Sequence, residues 1–210
     1  SSKNPYALRR AAHWIISVSL SQNLDINYSE LIDKTLEIFK ESKKISGNET
    51  EILSQIKEFF KQRLLYILSE DINQELISYV INIEPRIVAL KNKGAVLEEL
   101  SKTDKFEILV NLLKRTKNIL KENIAESEMI KEDIFEKNEE SLLFNYIKEL
   151  QKIIDEKKFY DIIDTLLENA HVINNFFDNV MIITDNKEIK NNRLSLLKKL
   201  ENLTSRTISV

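Results

Sequence analysis

The chain has no cysteine, and only two glycines and two prolines among its 210 residues. Each shortage removes a class of protein. Ordinary usage is about 7% Gly and 5% Pro, so folds rich in turns and sheets lack the residues that bend their chains, and helix is expected nearly throughout. Without cysteine there is no disulfide framework, no thiolate zinc site and no cysteine nucleophile, a composition that suits a reducing cytosol. Phosphate-cradling loops need several glycines so that backbone N–H groups approach the phosphate closely. With Gly47 and Gly94 alone, neither a P-loop nor a dinucleotide fingerprint exists. His13 and His171 belong to no His-x-Glu or His-x-x-x-His pattern, so both are read as structural or surface side chains and no metal site is expected. There is no Gly-x-Ser-x-Gly elbow. No apolar run approaches the ~18–20 residues of a membrane span, and the opening Ser-Ser-Lys-Asn-Pro is not a signal peptide. The expectation is a cytoplasmic chain with no membrane partner.

What is present is 42% hydrophobic and 31% charged, enough apolar mass for a core and too apolar for disorder. One large domain or two small ones fit the length. The formal charge of −3 argues against a general nucleic-acid binder, but the average hides a pattern. Residues 86–121 carry nine basic and four acidic side chains, 122–170 six and fourteen, and 171–210 six and four. A basic block and a mildly basic tail thus flank an acidic middle, an asymmetry that points to a polyanion on one face or simply to solvated helix faces. The pairs Glu139-Glu140 and Asp155-Glu156 are read as solvated surface, since acid–base work needs burial that nothing in the pattern suggests.

Apolar spacing of three and four predicts about ten helices in an all-helical array or bundle. Asn4 before Pro5 reads as an N-cap with proline at the first helical position, opening a helix to about residue 20. A second helix covers 28–43, and the 43–48 stretch with Gly47 ends it. Asn48 with Glu51 three residues on has the form of a capping box for a third helix, with Ile52, Ile56, Phe59, Phe60, Leu64, Ile67 and Leu68 as its stripe. A shorter piece follows near 72–81. Glu84-Pro85 then offers the best internal boundary, with proline starting a new helix to about 100. Asp104 with Glu107 opens a helix to 120, and 122–137 reads as a polar connector with one short helix at 130–135. Helices at 142–154 and 159–167 are expected to pair. An apolar segment at 173–183, with Phe176, Phe177, Val180 and Met181 read as core, precedes a last helix opened by Asp185 with Glu188.

The helix from 104 to 121 carries the clearest surface. Steps of 100° gather Leu109, Leu112, Leu113, Thr116, Ile119 and Leu120 on one side and project Asn111, Lys114, Arg115 and Asn118 from the other. Arg and Asn can hydrogen-bond base edges bidentately and Lys supplies phosphate charge, so this face suits an RNA loop with splayed bases. A plain solvent-facing stripe has the same composition.

Four segments together carry a resemblance. Asn4-Pro5-Tyr6-Ala7-Leu8-Arg9-Arg10-Ala11-Ala12 resembles an aspartate-proline-aromatic-Ala-Leu-Arg-Arg signature, and Phe59-Phe60-Lys61-Gln62-Arg63-Leu64 a Phe-x-x-x-Arg-Leu segment, of the beta subunit of bacterial tetrameric glycyl-tRNA synthetase. Lys114-Arg115-Thr116-Lys117-Asn118-Ile119-Leu120 is similar to that family's Lys-Arg-x-x-Asn-Ile-Leu helix. The stretch 175–182, Asn-Phe-Phe-Asp-Asn-Val-Met-Ile, followed by Asn192-Arg193-Leu194-Ser195-Leu196-Leu197, resembles its close. Order and rough spacing match along the whole chain. The departures are Asn4 where aspartate is usual, His13 where a small residue is, and His171-Val172 with Asn174 where Pro-Pro and an acid precede the Phe-Phe-Asp segment.

The resemblance implies the C-terminal third of a longer subunit, with residues 1–83 a helical body and 84–210 a helical anticodon-binding domain similar to that of arginyl-tRNA synthetase. It implies glycine tRNA and the alpha subunit of an alpha2beta2 tetramer as partners, no DNA, and no catalytic residue or cofactor in this chain, with ATP and magnesium belonging to the holoenzyme. The tRNA-binding residues it points to are Lys114, Arg115, Lys117, Asn118 and Arg193. Arg115 is alternatively a salt bridge to an acid of 122–170, and Arg193 an ion pair with Asp178 or Asp185. Arg9, Arg10 and Arg63 fall to the N-terminal layer. A helical protein-interaction module using the acidic 122–170 surface, and a different synthetase with the same helical module, are the competing readings.

Overall fold

The computed structural model describes residues 5–42, 48–126 and 129–210, and these contain ten α-helices and one 3-10 turn. Asn4 and the 43–47 stretch, read above as a cap and a helix end, lie outside the described residues. The chain divides into two compact units, 1–98 and 99–210.

In the first unit, α1 (Pro5–Ser21), α2 (Tyr28–Ser42) and α4 (Gln74–Ser78) all pack on α3 (Glu49–Leu68). The α3 stripe buries Phe60, Leu64 and Leu68, and Tyr28 stacks on Phe60 with ring centroids 5.0 Å apart. Ile52, Ile56 and Phe59 stay half-buried because they line an open apolar groove of about 510 Å³ together with Leu8 and Leu31. Asn48 caps α3 as expected of its residue type, but its side-chain oxygen accepts from the Thr50 N–H at 3.2 Å, one position earlier than a capping box places it.

The helix expected to begin at Pro85 is α5 (Ile87–Ser101), and proline stands outside it. Its start is built by a distant link. The Asp25 carboxylate accepts from the Val88 and Ala89 N–H groups at 3.1 and 2.9 Å, while the Asn27 side chain accepts from Ser29 and Glu30 and so caps α2. Between them, the Tyr28 N–H donates to the Pro85 carbonyl and the Ile87 N–H to the Ile26 carbonyl. Glu84 is buried and ion-paired with Arg86 at 2.9 Å and Lys93 at 2.8 Å. Gly94 is buried where a Cβ would meet the Ile72 side chain at 3.2 Å, so α5 approaches the 72–77 segment at its one side-chain-free position. These ties hold 84–98 in the first unit. The two compact units therefore divide after Glu98, and Pro85 precedes α5 without opening a unit.

The second unit comprises α6 (Asp104–Glu122), a 3-10 turn (Glu132–Ile134), α7 (Asn138–Glu156), α8 (Phe159–Glu168), α9 (Ala170–Asn179) and α10 (Lys187–Thr204). Both α6 and α7 pack on α8, α9 and α10. Six consecutive residues of α10, from Asn192 to Leu197, are buried, so this helix is covered nearly all round rather than on one stripe. Its cap is Asn186, accepting from Glu188 and Ile189, in place of the expected Asp185. The connector keeps only the short 3-10 turn. It is held by Asn192, whose side-chain amide donates to the Lys131 carbonyl at 2.9 Å and accepts from the Lys131 N–H at 2.8 Å. Helix α9 ends at Asn179, so Phe176 and Phe177 are core while Met181, past the helix, is 74% exposed and corrects the reading of it as core.

Asp25→Ala removes a helix cap and should lower stability by about 1 kcal/mol, read from the urea midpoint. At Glu84, burial works against the charge, but the hydrogen bonds from Arg86 and Lys93 outweigh it and its pKa lies below the ordinary glutamate value. Its contribution is therefore present above the ordinary glutamate range and lost as pH falls through the lowered folded value. Glu84→Gln should be less stable than the parent at neutral pH, and the gap should close in acid.

Candidate nucleic-acid interface

Helix α6 is amphipathic with charges placed for its dipole, Asp104 and Glu107 in the first turn and Lys121 in the last. Leu109, Val110, Leu112 and Leu113 are buried, and so is Thr116, whose hydroxyl donates to the Leu112 carbonyl at 3.1 Å. Asn111, Lys114, Arg115 and Asn118 stand exposed on the opposite side. The side chains of Lys114 and Asn118 form no hydrogen bond or ion pair with other described residues. Lys117 is half-buried and donates to the Val210 carbonyl, which turns it away from the exposed row.

Arg115 is bracketed by α9. Its Nη2 donates to Asp178 Oδ1 at 3.1 Å and its guanidinium lies 4.4 Å from the centre of the Phe177 ring. The acid comes from α9, outside the 122–170 segment that the sequence offers as the source of an Arg115 salt bridge. With side-chain exposures of 45% and 60%, this ion pair contributes about 0–1 kcal/mol, and the ring contact about 0.5–1 kcal/mol. Such a bracket orients the guanidinium without burying it. Arg115, Lys114 and Asn118 are all exposed, and the three make a short cationic and amide row.

Arg193 does not join them. It is 4% exposed, and its Nε and Nη2 donate to Glu140 at 3.0 and 3.3 Å, Nη2 to Glu136 at 2.8 Å, and Nη1 to the Met181 carbonyl at 3.0 Å. The reading of Arg193 as a tRNA contact is corrected: its donors are consumed inside the protein. Its ion-pair partners are Glu140 and Glu136 rather than Asp178 or Asp185. Burial opposes the charge, and the Glu140 and Glu136 carboxylates more than offset it, so the guanidinium pKa moves up. Glu140 is correspondingly not solvated surface. It is fully buried, and its Oε2 also accepts from the Glu136 and Lys137 N–H groups at 2.9 Å each, which ties down the start of α7.

Among the other singled-out residues, His13 accepts from Arg63 Nη2 at 3.0 Å, and His171 Nδ1 donates to the Glu168 carbonyl at 3.0 Å. Both histidines hold local structure. Among the described residues no group of three or more His, Cys, Asp or Glu side chains is placed to hold a metal ion, and no helix is long and apolar enough to cross a membrane. The residues that sequence reasoning missed are Phe177 and Asp178 in their role toward Arg115. The only signal for them was the Phe-Phe-Asp segment itself.

The sequence model of the family described as "Glycyl-tRNA synthetase beta subunit" matches residues 1–82, and that of the "DALR anticodon binding domain" matches 109–209. The chain is 34% identical over 204 residues to the glycine–tRNA ligase beta subunit of Aquifex aeolicus, covering 96% of this chain and 28% of that protein. It is 27% identical over 207 residues to the same subunit of Geotalea daltonii, covering 96% and 30%, and 31% identical over 208 residues to that of Neisseria meningitidis, covering 95% and 29%. The chain thus spans about 30% of the length of the curated relatives it matches.

Arg193→Ala and Glu140→Ala should each cost about 3–5 kcal/mol, since each leaves a buried charge unpaired. Arg193→Met combined with Glu140→Leu should cost less than either alone, measured by denaturant unfolding.

Proposed function

We propose that this chain, which belongs to the glycyl-tRNA synthetase beta-subunit family, binds the anticodon arm of glycine tRNA through its second unit and positions that tRNA for aminoacylation elsewhere in the enzyme. The observation that carries this reading is the exposed row Lys114, Arg115 and Asn118 on α6, within the segment similar to an anticodon-binding domain, with Arg115 held in place by Asp178 and Phe177. In this scheme Lys114 meets a loop phosphate and the Asn118 amide and Arg115 guanidinium hydrogen-bond the edges of unstacked bases. Lys117, half-buried against Val210, supports the row as a nearby positive charge rather than as a contact.

The division of labour follows. This chain contributes no catalytic residue, and the reaction belongs to the alpha subunit with which it assembles as an alpha2beta2 tetramer in the cytoplasm. This scheme gives the chain no cofactor of its own. ATP and magnesium belong, in the same scheme, to the holoenzyme's active site.

The deciding experiment compares binding of glycine tRNA, and of the same tRNA with its anticodon replaced, to the full chain and to the assembled enzyme at physiological salt. Preference for the native anticodon supports the reading, whereas equal binding in both preparations overturns it in favour of a protein-docking role. Asn118→Ala should lose about 1–3 kcal/mol of that preference. Lys114→Ala should weaken both tRNAs alike and lower the log–log salt slope by about 0.7. Asp178→Asn, which removes the carboxylate charge but keeps an oxygen to accept from the Arg115 guanidinium, should retain tRNA affinity that Arg115→Ala loses.

A further inference from the structure

The acidic middle of the sequence conceals a cationic groove. Residues 122–170 carry six basic and fourteen acidic side chains, yet Lys148 and Lys152, one turn apart on α7, fall on the same helix face. Where that face meets α10, a cleft of about 540 Å³ opens over an apolar floor of Ile130, Phe144 and Ile147, with Lys148, Lys152 and Lys199 around it. It lies wholly within the second unit and shares no residue with the row on α6.

Of the three lysines, only Lys148 has a charged or aromatic partner among the described residues. Lys148 is held at the groove by the Phe144 ring, 3.8 Å from its centre, and by Glu132 at 3.3 Å, with half of its side chain exposed. Lys152 and Lys199 are exposed and ion-pair with no other described residue. Two amides, Gln151 and Asn202, also line the cleft, and neither side chain hydrogen-bonds another described residue. The combination is selective. An inorganic anion or a phosphorylated side chain calls for the cations but has no use for an apolar floor of three large side chains. An apolar peptide calls for the floor but not for three ammonium groups. A nucleotide has both parts, a phosphate and a flat, weakly hydrated base whose edges bear donors and acceptors, and the volume lies in the range of small-ligand sites. RNA loops present such bases unstacked.

We infer that the α7–α10 groove receives one unpaired nucleotide of the bound tRNA, its flanking phosphates on Lys148, Lys152 and Lys199, its base over Ile130 and Phe144, and its edge on Gln151 and Asn202. This rests on the tRNA-binding reading above and adds a second point of contact to it. Two points of attachment on one unit fix the orientation of an RNA loop, which a single row on α6 leaves free to pivot.

The test uses the full chain and glycine tRNA carrying 4-thiouridine, with Lys152→Ala/Lys199→Ala, its stem-preserving counterpart Lys152→Gln/Lys199→Gln, and Lys114→Ala/Asn118→Ala as the comparison from α6. Cross-linking of a loop thiouridine to α7 or α10 peptides is expected, together with a roughly tenfold weaker affinity and a salt slope lower by about 1.4 in both groove variants. Unchanged helical circular dichroism should accompany both. Groove variants that bind like the parent while the α6 variant weakens would overturn the groove and leave the tRNA reading intact. Cross-links only to paired stem nucleotides would also overturn it, as would cytidine monophosphate binding in the groove with tRNA affinity unmoved by the variants. Failure of the parent chain and the assembled enzyme to distinguish tRNA from an unrelated RNA would overturn both readings.

Discussion

The second unit depends on the buried pair between Arg193 of α10 and Glu140 of α7. A guanidinium with 4% exposure and a carboxylate with none are affordable only because nearly every donor and acceptor between them is used. The pair sets the register of α10 against α7, and its remaining bonds reach outward. Through Glu140, the N–H groups at Glu136 and Lys137 are satisfied at the start of α7; through Nη1, the Met181 carbonyl just beyond α9 is fixed. Fixing the exit of α9 fixes Phe177 and Asp178, four and three residues before Met181. Those two bracket Arg115 on α6. A buried ion pair on one side of the core thereby governs the direction of an exposed cation on another.

The first unit uses the same device with different residues. Asp25 and Asn27 cap two helices from one short link, and Glu84 is satisfied by Arg86 and Lys93 in the turn that leads into α5. Polar groups carry the joints while apolar stripes carry the bulk. The groove between α1, α2 and α3 departs from this economy: it is lined almost wholly by apolar side chains, and Leu8 and Phe39 beside it remain about half exposed.

Helix type and approximate extent were legible because they follow from local spacing. The stripes at Phe60, Leu64 and Leu68 of α3 and at Leu109, Leu112 and Leu113 of α6 are periodic whatever they pack against. The outward position of Lys114, Arg115 and Asn118 was legible for the same reason. Caps were less so. The Asn48 cap is legible because the N–H it accepts from lies two residues away, whereas the cap of α5 is Asp25, more than sixty residues upstream, and no local pattern contains it. Pro85 misled because proline suits a first helical turn and a helix-preceding strand-like link equally well. Asp185 and Asn186 are both good capping residues one position apart, and the chain's path into α10 chose between them.

Composition and periodicity alone establish an all-helical chain without nucleotide-cradling loops, an acidic middle flanked by a basic block and a mildly basic tail, and one helix with a cationic and amide face, since these rest on residue type and on spacings within a few turns. The roles of Arg193, Glu140 and Lys117 could not be read that way. All three are charged residues in amphipathic stretches that look solvent-facing in isolation, and each is turned inward by a partner far away in the chain: fifty-three residues for Arg193 and Glu140, ninety-three for Lys117 and Val210. Burial of a charge depends on whether its partner arrives, and that is settled by how the helices pack. The groove between α7 and α10 has the same origin, for its lysines come from two helices and from segments of opposite average charge.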